Sequence, residues 1–411
     1  MQQQPRLEKF PLMPNRPLRV LHVVATSIGG DWFYQQVTGL ARLGNIVQVV
    51  LPGDGPLADR LRDAGIGVEI IPFKGKEIRH QLRVATAEIR LARFIRSFQP
   101  DVIHAHLLKA ILCCRLAASF YPKALRVAQV PGSIHLHSRP YRLLDQWTLS
   151  RDDLIIGSCQ AIASHYRAAG ARSVAVSYYG FDVHHLDPLT SGSAFRREFG
   201  LADDVPTVGM LAHMYPTQLR AFQAIGTKGH EVFLDSAALL LKRMPEVQIF
   251  VIGDEFPVVG DNRRKGDYRR RLEKRAAVLG ITRNVHFTGH RSDIACVLAG
   301  LDVVVGPSIE ESACGAMVEA LLMRRSVVAS NVGGLPDTVQ HGVSGLLVPP
   351  RDPAALADAV AELIADPLRR EEMGRQGRDH CLRRFDMKVT VAQVQALYLE
   401  ALDRKRTKRG L

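Results

Sequence analysis

Short apolar runs rich in Val and Ile, each followed by an amphipathic stretch, recur along this chain and leave it few folds to choose from. In the first half the runs are Leu18–Ala25, Ile46–Leu51, Val68–Pro72, Val102–Ala105, Val127–Val130 and Leu154–Ile156. Helical stretches at Trp32–Leu43, Pro56–Ala64, Ile78–Phe98 and Leu107–Phe120 lie between them. Apolar strands alternating with helices predict a parallel sheet covered on both faces. Turn residues then collect over Gly180–Pro206. The alternation restarts with strands at Thr207–Leu211, Val247–Ile252, Val285–Phe287, Val303–Val305, Ser326–Ala329 and Gly345–Val348. Its helices are Val232–Arg243, Tyr268–Leu279, Ala316–Met323, Pro353–Ala365 and Pro367–Arg384. The last two open on Asp352-Pro353 and Asp366-Pro367, a cap followed by a first-turn proline. The fold class is therefore α/β, with two doubly wound domains at 1–185 and 186–385. A helix at 386–403 is expected to pack back on the first domain, and 404–411 to form a basic tail.

Composition narrows the class. An apolar content of 46% with 23% charged residues describes a folded globular chain. No apolar run approaches the roughly 18 residues that span a bilayer, and the N-terminus lacks the layout of a signal peptide. The six cysteines show no metal or redox spacing and suit a cytoplasmic protein, placed at the inner face of the membrane. The net charge of +13 is uneven: residues 1–185 hold 23 Lys and Arg against 13 Asp and Glu, the remainder 31 against 28. An anionic partner is thus sought in the first half. On a helix, Arg79, Arg83, Arg90 and Arg93 fall within about 80° of arc, a stripe suited to anionic lipid or simply to solvent. Nucleic acid is not expected, because no aromatic residues interleave the basic ones.

In open parallel sheets ligands sit beyond the carboxyl ends of strands, so the loops there hold the candidate chemistry. Ser27-Ile-Gly29-Gly30-Asp31 follows the first strand, where glycines let the backbone approach a phosphate. His104 and His106 share one side of a strand end. They can be core residues; zinc is not expected, since no third ligand of matching spacing appears. His135 lies in the next strand exit, where it could meet a substrate hydroxyl or phosphate, or be structural. Lys228 precedes a helix and could neutralise a diphosphate as a point charge. Glu311 and Glu319 stand eight residues apart around a strand-to-helix turn. With a helix starting near Ser312 they would lie about 80° apart and about 12 Å along the axis, suited to two ends of one ligand. Glu310 adjoins Glu311, and the eight-residue interval favours the latter.

In order along the second half stand Val208-Gly-Met-Leu-Ala, Lys228-Gly, Val251-Ile-Gly-Asp254, Phe287-Thr-Gly289, Pro307-Ser308, Glu311-x7-Glu319 and Val328-Ala-Ser-Asn-Val-Gly-Gly334. This set resembles glycosyltransferase family 4, and Gly29-Gly30 with Pro100-Asp-Val-Ile-His104 extends the likeness into the first half. The resemblance implies a GT-B fold, two facing Rossmann-like domains with a cleft between them. It implies a retaining transferase that moves a hexosyl group from a nucleotide-diphosphate sugar to a cell-envelope polysaccharide or lipid-linked acceptor. It implies Glu319 on the donor ribose, Glu311 on the transferred sugar, and Lys228 on the diphosphate with backbone around Gly30, Ala316 and Met317. No cofactor or obligatory metal is implied, the leaving charge being met by Lys228 and a helix N-terminus.

Three positions depart from the family pattern. His213 stands where an arginine is usual, and Arg220 in the following insertion is the compensating candidate. The glycine-phenylalanine-glycine after the first glutamate is Ser312-Ala313-Cys314, with Gly315 displaced by one. The first-domain histidine aligns with Pro131, which makes His135 the substitute. A nucleotide-sugar epimerase of the same architecture and a non-catalytic nucleotide-binding paralogue are the alternative readings.

Overall fold

The computed structural model describes residues 16–73, 79–215, 225–255, 266–312 and 315–407, leaving aside the side chains of 79–85 and of His185. The chain divides into two compact units: 1–181 with 385–411, and 182–384.

The first unit holds seven parallel strands: β1 (Arg19–Val24), β2 (Ile46–Leu51), β3 (Gly67–Ile70), β4 (Val102–His106), β5 (Leu125–Val130), β6 (Leu154–Gly157) and β7 (Val174–Val176). Their order is β3-β2-β1-β4-β5-β6-β7, so the direction of winding reverses between β1 and β4. Helices α1 (Asp31–Arg42), α2 (Pro56–Asp63), α3 (Arg79–Phe98), α4 (Leu108–Ala117), α5 (Arg139–Thr148) and α6 (Gln160–Ala168) provide the crossovers. Strand β1 shows why the Val-rich runs read as strands. Leu21 and Val23 enter one apolar cluster while Val20 and Val24 enter the cluster on the opposite face.

The second unit repeats the plan with β8 (Thr207–Leu211), β9 (Gln248–Ile252), β10 (Val285–Gly289), β11 (Val303–Gly306), β12 (Ser326–Ser330) and β13 (Gly345–Val348). Their order is β10-β9-β8-β11-β12-β13, reversing beside β8. Its helices are α7 (Ser193–Glu198), α8 (His230–Leu241), α9 (Asp267–Val278), α10 (Ile294–Ala299), α11 (Gly315–Leu322), α12 (Leu335–Thr338), α13 (Pro353–Ala365) and α14 (Pro367–Phe385). Asp352 caps α13 by accepting from Ala355 N at 2.9 Å, as the Asp-Pro signal predicts. Sequence reading misses β7, three residues long, and several short helices. It misses α5 for a different reason: that helix buries Asp145 and Thr148 while its leucines face outward.

The final helix, α15 (Met387–Thr407), lies on the first unit. A Cβ at Gly39 of α1 would stand 2.6 Å from Val391, so the glycine sets how closely the two helices approach. The expected basic tail is corrected here: helix continues through Thr407, and Lys405 Nζ bonds the Asp153 carboxylate at 2.6 Å and the Ala124 carbonyl at 2.5 Å.

Beneath α1 and α15 runs a polar layer that spacing alone could not disclose. Register pairs His22 with His104 across β1 and β4, and all of His22, His104 and His106 are fully buried. Sheet register thus brings in from β1 a third histidine that spacing along the chain does not show. The ligand-capable nitrogens of the three lie within 4.8 Å of one another. The rings stack at 19° between His22 and His106 and are tilted by 31° between His104 and His106 and by 37° between His22 and His104. His22 Nδ1 and His106 Nε2 share a hydrogen bond at 3.0 Å, and His104 Nδ1 meets Tyr398 Oη at 2.5 Å.

Burial holds all three histidines neutral, pushing His22 down to about 3 and the other two well below the ordinary value. Between that value and 6.5 the unfolded chain binds protons that the folded chain excludes, so stability falls as pH falls below 6.5. Urea unfolding at a series of pH values should show this loss between pH 6.5 and 5. The slope should approach ~1.4 kcal/mol per pH unit for each such histidine. His22→Gln should reduce the slope by one proton's worth, and an unaltered slope would contradict the assignment.

Candidate functional site

In the second unit, β8 and β11 are neighbours at the point where strand order reverses, and the loops leaving them open a crevice at the sheet edge. Lys228 comes from the β8–α8 loop and Glu311 from the β11–α11 loop. Their side chains meet at 2.5 Å. Glu311 is buried, and it also accepts from Ser308 Oγ at 3.2 Å and from its neighbour Ser312 N at 3.2 Å. Burial acts to raise its pKa, but the Lys228 ammonium and these donors outweigh it and hold the carboxyl below the usual range.

Two glycines make that meeting possible. Gly229 has φ 75° and packs so tightly that a Cβ would stand 1.9 Å from the Pro307 carbonyl oxygen. Gly333 has φ 54°, and its Cβ would stand 1.7 Å from the carbonyl oxygen of Glu311 itself. The Asn331–Gly334 loop thus props Glu311 from behind, closed by Gly334 N donating to the Glu311 carbonyl at 3.2 Å. A residue that sequence reading passed over, Glu231, steadies the other side. It accepts from Gly226 N at 3.0 Å and Tyr268 Oη at 2.9 Å, and pairs with Arg271 at 2.9 Å. An acid in the first turn of a helix after a glycine loop is the signal that could have found it.

Glu311 and Ser312 are not helical and α11 is described from Gly315, so the fully helical path assumed for the pair is absent and Glu319 lies four residues along the described helix. Glu319 is half-buried. Ala316 and Met317 lie at the N-terminal end of α11 as described, the end toward which the backbone N–H groups point. The Met317 side chain itself is buried, packed where a Cβ on Gly306 would meet its sulfur at 2.9 Å, so only its backbone can serve a ligand. His213 follows β8; partial burial lowers its pKa, and the Lys228 and His290 charges act in the same direction. Tyr215 nearby is another residue not foreseen, its phenol pushed up first by burial and also by the Glu311 charge. Arg220 lies outside the described residues.

In the first unit, Gly29 and Gly30 form the turn from β1 into α1, at that sheet's own reversal point, and Gly30 carbonyl accepts from Phe33 N and Tyr34 N at 2.9 Å. His135 stands in a short 3-10 turn after β5. Its Nε2 is 3.2 Å from Tyr166 Oη and 3.5 Å from Asp145 Oδ2, while Tyr166 Oη donates to the same carboxylate at 2.6 Å. Asp145 in turn pairs with the buried Arg115 at 2.7 Å, and Arg115 Nε bonds Asp152 at 2.9 Å. Burial works to raise the Asp145 pKa, but His135, Arg115 and Tyr166 together hold it below the usual range. Asp152, with less compensation, is pushed up to about 6 by burial. Of the α3 stripe, Arg90 bonds Glu69 at 3.3 Å and the Ile70 carbonyl at 3.0 Å. The side chains of Arg79 and Arg83 fall outside the description, and Arg93 lies on the same helix.

Two measurements test these networks. Lys228→Met removes the cation that offsets burial, so the Glu311 carboxyl should titrate above about 4.3 instead of below it. In the wild type the pair's contribution is present at neutral pH and lost as acid protonates Glu311; in the variant acid becomes stabilising. Carbon-13 NMR of the Glu311 carboxyl reads the change directly. Asp145→Asn leaves buried Arg115 with one carboxylate and should cost about 3 kcal/mol in urea unfolding. His135→Gln, which spares the Arg115 pairs, should cost less than about 1 kcal/mol. Equal losses would mean that His135, not Arg115, organises the cluster.

Comparison with known proteins agrees with this layout. Residues 31–180 match the glycosyl transferase 4-like domain and residues 221–380 the glycosyl transferases group 1 family. A D-inositol 3-phosphate glycosyltransferase of Corynebacterium urealyticum is 28% identical over 386 residues, 87% of each chain. An alpha-D-kanosaminyltransferase of Streptomyces kanamyceticus is 26% identical over 311 residues, 69% of this chain and 74% of that one. The crystal structure of Anabaena HepE in complex with UDP superimposes with a TM-score of 0.78 at 25% identity, covering 93% of this chain and 100% of the other. With both halves matched in order and the fold shared, the chain belongs to the GT-B glycosyltransferases of family 4.

Proposed function

We propose that the chain transfers a hexosyl group from a nucleotide-diphosphate sugar, with retention of configuration, to a cell-envelope polysaccharide or lipid-linked glycan. The observation that carries this reading is the Lys228–Glu311 pair set beside the first turn of α11. A cation, a carboxylate and the N-terminal end of a helix in one crevice suit a ligand that is anionic at one end and hydroxyl-rich at the other. The relatives support it. Anabaena HepE has been crystallised in complex with UDP, and with UDP and glucose, and the curated relatives are named as glycosyltransferases.

In this reading Lys228 and the Ala316–Met317 backbone hold the diphosphate, with His213 and Arg220 in place of the family arginine. Glu319 takes the ribose hydroxyls and Glu311 the hydroxyls of the transferred sugar. In the first unit, the Gly29–Gly30 backbone serves donor phosphate and His135 a substrate hydroxyl. The acceptor hydroxyl attacks the anomeric carbon on the face from which the nucleotide departs. The C–O bond to the diphosphate breaks as the new glycosidic bond forms, and the departing phosphate oxygen takes the acceptor's proton. Charge developing on that oxygen is met by Lys228 and the α11 terminus, so the reaction asks for no metal cofactor. No helix among the described residues is long and apolar enough to cross a membrane. We place the enzyme in the cytoplasm, in peripheral contact with an anionic membrane that presents the acceptor.

A donor panel read by nucleotide release, starting with uridine diphosphate sugars and run with and without lipid extract, tests the reaction. Glu311→Ala should abolish turnover while nucleotide still binds in calorimetry. Glu319→Ala should weaken nucleotide binding roughly 10- to 100-fold, the worth of hydrogen bonds to a charged group. The reverse pattern would exchange the two roles, and donor consumption indifferent to acceptor would refute the transfer.

A further inference from the structure

Helix α5 is built inside out. Its inward face is polar, since Asp145 and Thr148 are buried and both bond the Arg115 guanidinium, Thr148 Oγ1 at 2.8 Å. Its outward face is apolar: Leu143, Leu144 and Trp147 are 54%, 40% and 75% exposed. At 100° per residue those three fall within about 100° of arc. Ile134, in the turn just before the helix, is also exposed. A water-facing surface gains nothing from such a ridge, and its large side chains are what a covered surface needs.

The charges around the ridge say what covers it. Arg139 and Arg142 lie on the adjoining arc of the same helix, and the Arg151 guanidinium sits 5.9 Å from the Trp147 ring centroid. Asp145 is the one carboxylate between Ile134 and Arg151, and it is buried against Arg115. An apolar ridge edged by arginines, with no exposed acid in its own stretch from Ile134 to Arg151, fits an anionic bilayer, with leucine and tryptophan at the acyl boundary and guanidinium groups among the phosphates. A second copy of the chain fits badly, because a two-fold contact through this ridge would set its arginines against their own equivalents. The α3 stripe is a weaker candidate, since Arg90 is already engaged by Glu69 and a backbone carbonyl.

We propose that the outer face of α5, with Ile134, is the surface on which this enzyme seats on anionic lipid. The inference rests on the proposed membrane contact and names the surface that makes it.

Full-length protein is sedimented with vesicles of phosphatidylcholine alone and of phosphatidylcholine with phosphatidylglycerol. Binding should require the anionic lipid. Leu143→Ser with Trp147→Ser should weaken it about tenfold or more, with nucleotide binding unchanged. Arg90→Gln with Arg93→Gln should leave it intact. Brominated lipid should quench the Trp147 fluorescence, measured as the difference from Trp147→Phe. Loss of binding confined to the Arg90/Arg93 variant would overturn the α5 assignment while leaving the membrane reading in place. A wild-type chain that ignores both vesicles would overturn the two together. Vesicle binding unaffected by the serine pair, with a dimer converted to monomer, would assign the ridge to a second copy and reject the lipid.

Discussion

A carboxylate taken out of water must be met by a cation or by several donors, and Glu311 shows how much structure that requirement recruits. Lys228 supplies the charge, Ser308 and Ser312 the donors, and Gly229 and Gly333 the clearance for two backbones to close on the same few ångströms. None of these comes from the same loop as Lys228 except Gly229. The pair forms because β8 and β11 are adjacent in the sheet, and they are adjacent because the winding reverses there. A substitution at Gly333 would therefore act on the site as surely as one at Glu311, through backbone that no side chain could occupy.

The two units spend their buried polar groups differently. In the second, Glu231 and Glu311 tie loops at the mouth of the crevice, so the polar contacts stiffen the place where ligand chemistry would occur. In the first, the stacked histidines lie under helices, and the Arg115 cluster fastens α4 to α5 and α6. The histidine layer is held neutral by burial, whereas in the Arg115 cluster pairing keeps Asp145 ionised and burial pushes Asp152 up to about 6.

How much of this the sequence discloses depends on whether a feature is local. Val- and Ile-rich runs locate the strands because a strand buried on both faces must be apolar throughout, and β2 was bounded correctly to the residue. Lys228 and Glu311 were found by position, since both follow strands that end in loops. That they touch was not legible, nor was His22 beneath His104, because register between strands distant in sequence leaves no mark in either. Asp145 escaped for a sharper reason. Pattern reading assumes that apolar residues point inward, and α5 violates it, so a helix whose periodicity ran the wrong way was passed over.

The outward apolar face of α5 lies in the more positively charged half of the chain. The first 185 residues carry 13 acids, and among the described residues Asp31, Asp54, Asp59, Glu69, Asp101, Asp145, Asp152 and Asp153 are committed to ion pairs within the first unit. Pairing on that scale leaves the excess positive charge where acids are missing, and the stretch from Ile134 to Arg151 is such a place. Apart from the buried Arg115 pairs, these ion pairs add little stability singly, so their consequence is better sought in the field they leave behind. An apolar ridge would be a liability on a neutral surface; set in an uncompensated positive field, it becomes selective for an anionic one.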